Sequence, residues 1–312
     1  MKSEFNPVGI TNIGDPFILH ASDGNYYLYA TSHDIDEMGF YVWKSANLVN
    51  WSKPKVCYSL CEKSFGYMNC WAPEVTEYNG KYYIFFSSKW KKTKTLRIGV
   101  AVSNNPEGPF IDSRDNEPLF DFGYCAIDGT VFIDDDGKKY LYYSRDCSEN
   151  IYNGEHQSHL YVIRLSDDLL SVCGEPKMLT RPELGYENIP YVASDGSIWK
   201  WNEGPFMVKV NGEYHLMYSG NHFSSKYYSI CAAKSNNPLG PFVKYERPIA
   251  VYVEGKISGP GHNSVFSDEK GQLYCAYHVH TDINKPGNNR QLFIDKLNYE
   301  NGKLTMEITF NE

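Results

Sequence analysis

Five times along this chain one pattern returns: a polar or aromatic residue, a short apolar run, a tight turn at a glycine, and a second apolar run. The copies span Asp15 to His33, Trp71 to Lys89, Asp128 to Asp146, Glu203 to Asn221 and His262 to His280, and they turn at Gly24, Gly80, Gly137, Gly212 and Gly271. In the clearest copy, E-G-P-F-M-V-K-V-N-G-E-Y-H-L-M-Y-S-G-N, Asn211-Gly212 sits between alternating apolar segments, a strong hairpin signal. Self-similarity at a long, regular spacing restricts the fold to an array of equivalent units. Successive turn glycines are 56, 57, 75 and 59 residues apart, which suits four short strands plus connections per unit rather than a single hairpin.

Second hairpins follow the first ones. Arg97 to Val102 and Tyr227 to Ala232 each precede nearly the same octet, S-N-N-P-E-G-P-F at Ser103 to Phe110 and S-N-N-P-L-G-P-F at Ser235 to Phe242. Long amphipathic periodicity is absent, while Gly, Pro, Asn and Asp punctuate the chain throughout. These features predict an all-β chain, one domain over residues 1–312, whose five radial units close as a five-bladed β-propeller. The longest interval places Arg181 to Trp201 just before Glu203, and Pro182, Pro190 and paired aromatics there predict a long ordered loop.

Counting back nine residues from each turn glycine reaches Asp15, Trp71, Asp128, Glu203 and His262. Blades arranged about one axis would bring that repeat position together. A single carboxylate opening a strand reads as a turn cap or a solvated side chain. Three at one repeat position would repel one another and raise one another's pKa values, a cost usually tolerated only for chemistry. Paired carboxylates are the equipment of glycoside hydrolysis. Residues nine after each turn, including His33, Asn221 and His280, are expected across from that position as further substrate contacts.

Composition narrows the partners. The 26 Tyr, 16 Phe and 6 Trp suit half-buried strands and also supply flat faces for sugar rings. With a net charge of −8 and one basic run, Lys89 to Arg97, the chain lacks a nucleic-acid-binding face. The start, M-K-S-E-F-N-P-V-G, lacks the apolar run of a signal peptide, and no stretch approaches the roughly 20 apolar residues of a spanning helix, so no membrane partner and a soluble, cytoplasmic protein are predicted. Eight cysteines without paired C-x-x-C spacing read as free thiols.

The motifs G-D-P-F at Gly14 to Phe17, W-A-P-E-V at Trp71 to Val75, I-D-G-T-V-F at Ile127 to Phe132, E-G-P-F at Glu203 to Phe206, G-H-N at Gly261 to Asn263 and R-Q-L-F-I-D at Arg290 to Asp295 resemble glycoside hydrolase family 43 over essentially the whole chain. The resemblance implies a five-bladed propeller acting by inversion on β-xylosides, α-L-arabinofuranosides or arabinans. It implies Asp15 as general base, Glu203 as general acid, and Asp128 as the acid that positions Glu203 and raises its pKa. Arg290 would reach a sugar hydroxyl, with a surface ion pair as its ordinary alternative, and Trp71 would wall the sugar pocket, with plain core as the alternative. His262 would lie on the axis beside a water or a structural calcium held through water and oxygen atoms; no cofactor is required for hydrolysis itself. The expected activity is an exo-glycosidase on pentose-containing oligosaccharides, with an endo-arabinanase or a non-catalytic carbohydrate-binding propeller as alternatives. An invertase-like propeller is disfavoured because the W-M-N-D-P-N opening is absent.

Overall fold

The computed structural model describes residues 3–310, and its strands form six four-stranded sheets. Five of these are the blades. Blade I comprises Ile13–His20, Tyr26–Ser32, Gly39–Ser45 and Lys55–Ser59; blade II begins at Gly66–Tyr78, blade III at Ala126–Ile133, blade IV at Asn202–Val210 and blade V at Gly261–Ser267. Each innermost strand packs beside the next, and that of blade V returns to that of blade I, so the five surround one axis. Apolar side chains on both faces of every blade stack against the neighbouring blades. Tyr27, Tyr29, Phe40 and Phe86 fill the blade I–II interface, and Met217, Ile230, Tyr277 and Phe293 fill the blade IV–V interface.

The two ends of the chain are joined without covalent help. Asn6 accepts the Ile294 N–H through Oδ1 at 2.8 Å and donates through Nδ2 to the Ile294 carbonyl and Asp295 Oδ2, both at 3.1 Å. This side chain is fully buried, so the paired amide leaves no buried polar group to penalise closure.

The sixth sheet was not legible in the sequence. The segment expected as a long loop carries a 3-10 turn at Gly185–Glu187 and the strands Tyr191–Val192 and Ile198–Lys200, which pair with each other; Ile198–Lys200 also pairs in parallel with Glu155–Gln157, which forms a hairpin with Ile151–Tyr152 in the connection between two strands of blade III. Buried Glu187 anchors it by accepting from Lys244 Nζ and, at 2.6 Å, from the Tyr218 hydroxyl. All eight cysteines are free, and no helix among the described residues is long and apolar enough to cross a membrane.

Candidate active site

Every innermost strand carries a β-bulge near its start, and one residue of each bulge is left-handed: Asp15, Ala72, Asp128, Gly204 and His262, with φ between 47° and 57°. This corrects the repeat position read from the sequence. Asp15, Asp128 and His262 share it, but Trp71 and Glu203 sit one residue earlier, level with Gly14, Ile127 and Gly261. The cause is turn length. Blades II and IV turn through two residues, Asn79-Gly80 and Asn211-Gly212, all with positive φ, whereas blades I, III and V use three-residue loops ending on a left-handed glycine. Counting from the glycine therefore shifts two blades by one residue, and in a strand one residue exchanges the face.

A bulge redirects the following backbone, and here it aims five N–H groups at neighbouring blades. Ala72 N–H donates to Thr31 Oγ1 at 2.8 Å, Asp128 N–H to Ser87 Oγ at 2.9 Å, Gly204 N–H to Asp128 Oδ2 at 3.0 Å, His262 N–H to Ser219 Oγ at 2.7 Å and Asp15 N–H to His278 Nδ1 at 3.1 Å. These bonds circle the axis, and above them opens a cavity of about 440 Å³ to which all five blades contribute.

The two glycines in the position before the left-handed residue make room for the site. A Cβ on Gly14 would fall inside the Arg290 guanidinium, and one on Gly261 would fall inside the Tyr228 ring. Arg290, 5 % exposed rather than a surface ion pair, donates from Nη1 to Asp15 Oδ1 at 2.9 Å and lies over the Phe223 ring at 5.1 Å. Tyr228 stacks on His278 with ring centres 5.5 Å apart and donates its hydroxyl to Glu203 Oε1 at 2.8 Å.

The three acids are treated differently. Burial opposes ionisation of Asp15, but Arg290, His262, His278 and the Thr31 hydroxyl outweigh it and hold this carboxyl well below the usual carboxylate range. Thr31 Oγ1 donates to Asp15 Oδ2 at 2.6 Å, and His262 Nδ1 lies 3.2 Å from Oδ1. Burial pushes Asp128 up to about 6, with Asp15 adding to the rise and both His262 and the Gly204 N–H opposing it. Burial and then the Asp128 charge drive Glu203 well above its ordinary value, only partly offset by Tyr228. One cavity thus holds an ionised carboxylate beside a protonated one, the division acid–base hydrolysis needs.

Of the other expected residues, Trp71 and His33 line the cavity, and His262 lies on the axis against Asp15. Asn221 does not line it. Its buried side chain accepts the Ile189 N–H at 3.0 Å and donates to the Tyr186 and Tyr227 carbonyls, both at 2.8 Å, so it fastens the segment before Glu203. Asp146, which like His33 stands nine residues after a turn glycine, also lines the cavity, whereas sequence reasoning missed Tyr228, His278 and Glu37. His278 had a signal: with Thr31, Ser87, Ser144 and Ser219 it stands seven residues after each turn glycine. Burial and then Arg290 hold its ring well below the ordinary imidazole pKa, in keeping with a neutral ring that accepts the Asp15 N–H.

The surroundings of His262 do not fit a directly held calcium ion, which takes six to eight oxygens. Asp15, the carboxylate against this ring, already accepts from Arg290 and Thr31, and no group of three or more His, Cys, Asp or Glu among the described residues has metal-binding geometry.

The family model described as glycosyl hydrolases family 43 matches residues 5–304. A β-xylosidase of Xylanibacter ruminicola is 28% identical, covering 89% of this chain and 91% of its own, and a β-D-galactofuranosidase of Aspergillus niger is 29% identical, covering 82% and 71%. The crystal structure of a thermostable family-43 glycoside hydrolase superposes with a TM-score of 0.90 at 43% identity, covering 98% of this chain and 96% of that one. With residues 5–304 matched by the family model and the propeller shared, this chain belongs to glycosyl hydrolase family 43.

Proposed function

We propose that this glycosidase is an inverting exo-enzyme that removes terminal β-D-xylose, α-L-arabinofuranose or both from short oligosaccharides. The observation that carries the reading is the opposite electrostatic treatment of Asp15 and Glu203 within one cavity. Asp15, ionised, takes a proton from water as that water attacks the anomeric carbon. Glu203, protonated, gives its proton to the departing glycosidic oxygen. Tyr228 occupies Oε1 of Glu203, leaving Oε2 to carry the proton, and Asp128 keeps that proton in place by its charge. Each turnover leaves Asp15 protonated and Glu203 ionised, and exchange with solvent restores both. No step is routed through a metal.

The pentose assignment is supported by relatives named as a β-xylosidase and a xylosidase/arabinosidase. The exo assignment is supported by the segment before Glu203, which closes in on the cavity and supplies Trp201 to its wall. An endo-arabinanase is the second reading, favoured by relatives named as probable arabinan endo-1,5-α-L-arabinosidases.

Nitrophenyl β-D-xyloside, α-L-arabinofuranoside and β-D-galactofuranoside assayed beside linear arabinan test the reading. Turnover of a pentoside with little release from internal arabinan bonds is expected; preferred cleavage of the polymer, or of the galactofuranoside, would displace it. Proton NMR of early product from a β-xyloside should show α-xylose first, and initial β-xylose would remove inversion.

A further inference from the structure

The wall between blades I and II contains a hydrogen-bonded cluster to which the acid–base chemistry assigns no task. Its hub is Glu37. After the 3-10 turn His33–Ile35 the chain passes through two successive left-handed residues, Asp36 at φ 53° and Glu37 at φ 55°, and the Glu37 carbonyl accepts the Cys70 N–H at 2.7 Å. Non-glycine residues held this way persist where the surroundings impose them, and such positions gather at functional sites. The Glu37 carboxylate then takes three side chains of the same cavity: His33 Nδ1 at 3.1 Å on Oε1, Asn69 Nδ2 at 3.1 Å on Oε2, and Trp71 Nε1 on Oε2.

Each of those bonds dictates what the donor shows to the cavity. The His33 bond and then Trp71 outweigh burial and hold Glu37 below its ordinary value, so it is an ionised acceptor and His33 must carry its proton on Nδ1. In the neutral ring Nε2 is then an acceptor. Asn69 spends its amide N–H on Glu37, which turns Oδ1 away from the hub. His33 Nε2 and Asn69 Oδ1 are both buried and both without a protein partner. Two unpaired buried acceptors in one sugar-sized cavity call for a ligand that brings hydroxyl donors. They stand on the side of the base: His33 is two residues beyond Thr31, which donates to Asp15, and the Asp15 charge is felt at Glu37. In an inverting reaction that side holds the sugar whose bond is cleaved, not the leaving group.

We propose that Glu37 is a positioning residue that orients His33 and Asn69 as a pair of acceptors for hydroxyl groups of the terminal sugar, making this cluster a determinant of which glycoside is accepted. This rests on the proposed function and adds residues and a polarity to it.

Glu37→Gln gives the proposal a test with a sign. The glutamine oxygen can still accept from Trp71 and Asn69, but its NH₂ then faces His33 Nδ1, which must become the acceptor, so Nε2 gains the proton and turns from acceptor to donor. Fluorine accepts weakly and never donates. Deoxyfluoro derivatives of D-xylose and L-arabinose, each fluorinated at one ring position, are measured as competitive inhibitors beside the parent sugars at about pH 8, where imidazole is ordinarily neutral. For the wild type, fluorination at the contacted position should weaken binding about 10-fold or more, because a buried acceptor is left unpaired. In Glu37→Gln that penalty should shrink by about fivefold. His33→Ala, which removes the acceptor, should show the same shrinkage with a raised KM. A fluorine penalty unchanged in both variants, or a loss confined to kcat, overturns the proposal while leaving the glycosidase reading intact. A wild type that neither binds these sugars nor cleaves their nitrophenyl glycosides overturns both.

Discussion

The carboxylate of Asp128 accepts the backbone N–H of Gly204 at 3.0 Å, and so grips the residue next to Glu203. Gly204 is left-handed at φ 57°, and a Cβ on it would press on the His262 ring at 3.2 Å. Asp128 therefore acts on Glu203 in two ways, by fixing its backbone and by adding negative charge beside its carboxyl.

Electrostatics of this kind predict an asymmetric pH profile. The proposed mechanism requires Glu203 protonated and Asp15 ionised; the first has its pKa raised and the second lowered, so both forms coexist over a wide range below the Glu203 pKa. kcat/KM should be flat on the acid side and fall about tenfold per pH unit on the alkaline side. Asp128→Asn removes the charge and should move the alkaline limb to lower pH; an unmoved limb would separate Asp128 from the proton on Glu203.

Leaving-group dependence separates acid from base. Glu203→Ala should lose about 10²–10⁴-fold on xylobiose or arabinosyl oligosaccharides yet retain far more activity on dinitrophenyl glycosides, whose phenolate departs unaided. Asp15→Ala should be crippled on both substrates, because water still needs activation. The same dependence in both variants would overturn the two roles.

Stability should move opposite to activity. A carboxyl whose folded pKa is raised costs stability as pH climbs from its unfolded value, near 4, to its folded one. Glu203→Gln should therefore raise Tm by a few degrees at neutral pH, and the gain should vanish as pH falls toward about 4. A gain that persists at low pH would have to come from packing instead.

Gly14 tests the placement of Arg290. Because a Cβ at this position would fall inside the guanidinium, Gly14→Ala should displace Arg290 from Asp15 and cost about 10²-fold in kcat/KM while the propeller still folds. Near-normal turnover with an unchanged circular-dichroism spectrum would show that the pairing of Arg290 with Asp15 is dispensable.

Metal removal should do little. In the proposed mechanism Asp15 and Glu203 supply the base and the acid, and the groups at His262 are engaged with Asp15 and Ser219. Incubation with a chelator should leave most of the activity; complete loss reversed by calcium would require an oxygen-lined site at the axis.

Much of this protein is written in local pattern. Alternating apolar residues, turn glycines and the recurrent S-N-N-P-x-G-P-F octets specify strands and their order, because pleat and turn chemistry act between neighbours in sequence. Asp15, Asp128 and Glu203 stood out for the same reason, as acids at strand starts in a repeat. The one-residue offset of Trp71 and Glu203 was hidden because it depends on whether a turn closes in two residues or three, and a count from the glycine passes over that difference. Tyr228, His278 and Glu37 come from other strands and loops, and of the three only His278 is marked in the sequence, by its place seven residues after a turn glycine. They become site residues only when blades close around an axis, when Gly14 and Gly261 leave space for side chains from elsewhere, and when Asn221, expected to touch substrate, turns its amide to the backbone of the segment it fastens. Local sequence carries the strand pattern; which side chains meet across the axis is set by ring closure and by volume, and both are properties of the folded chain alone.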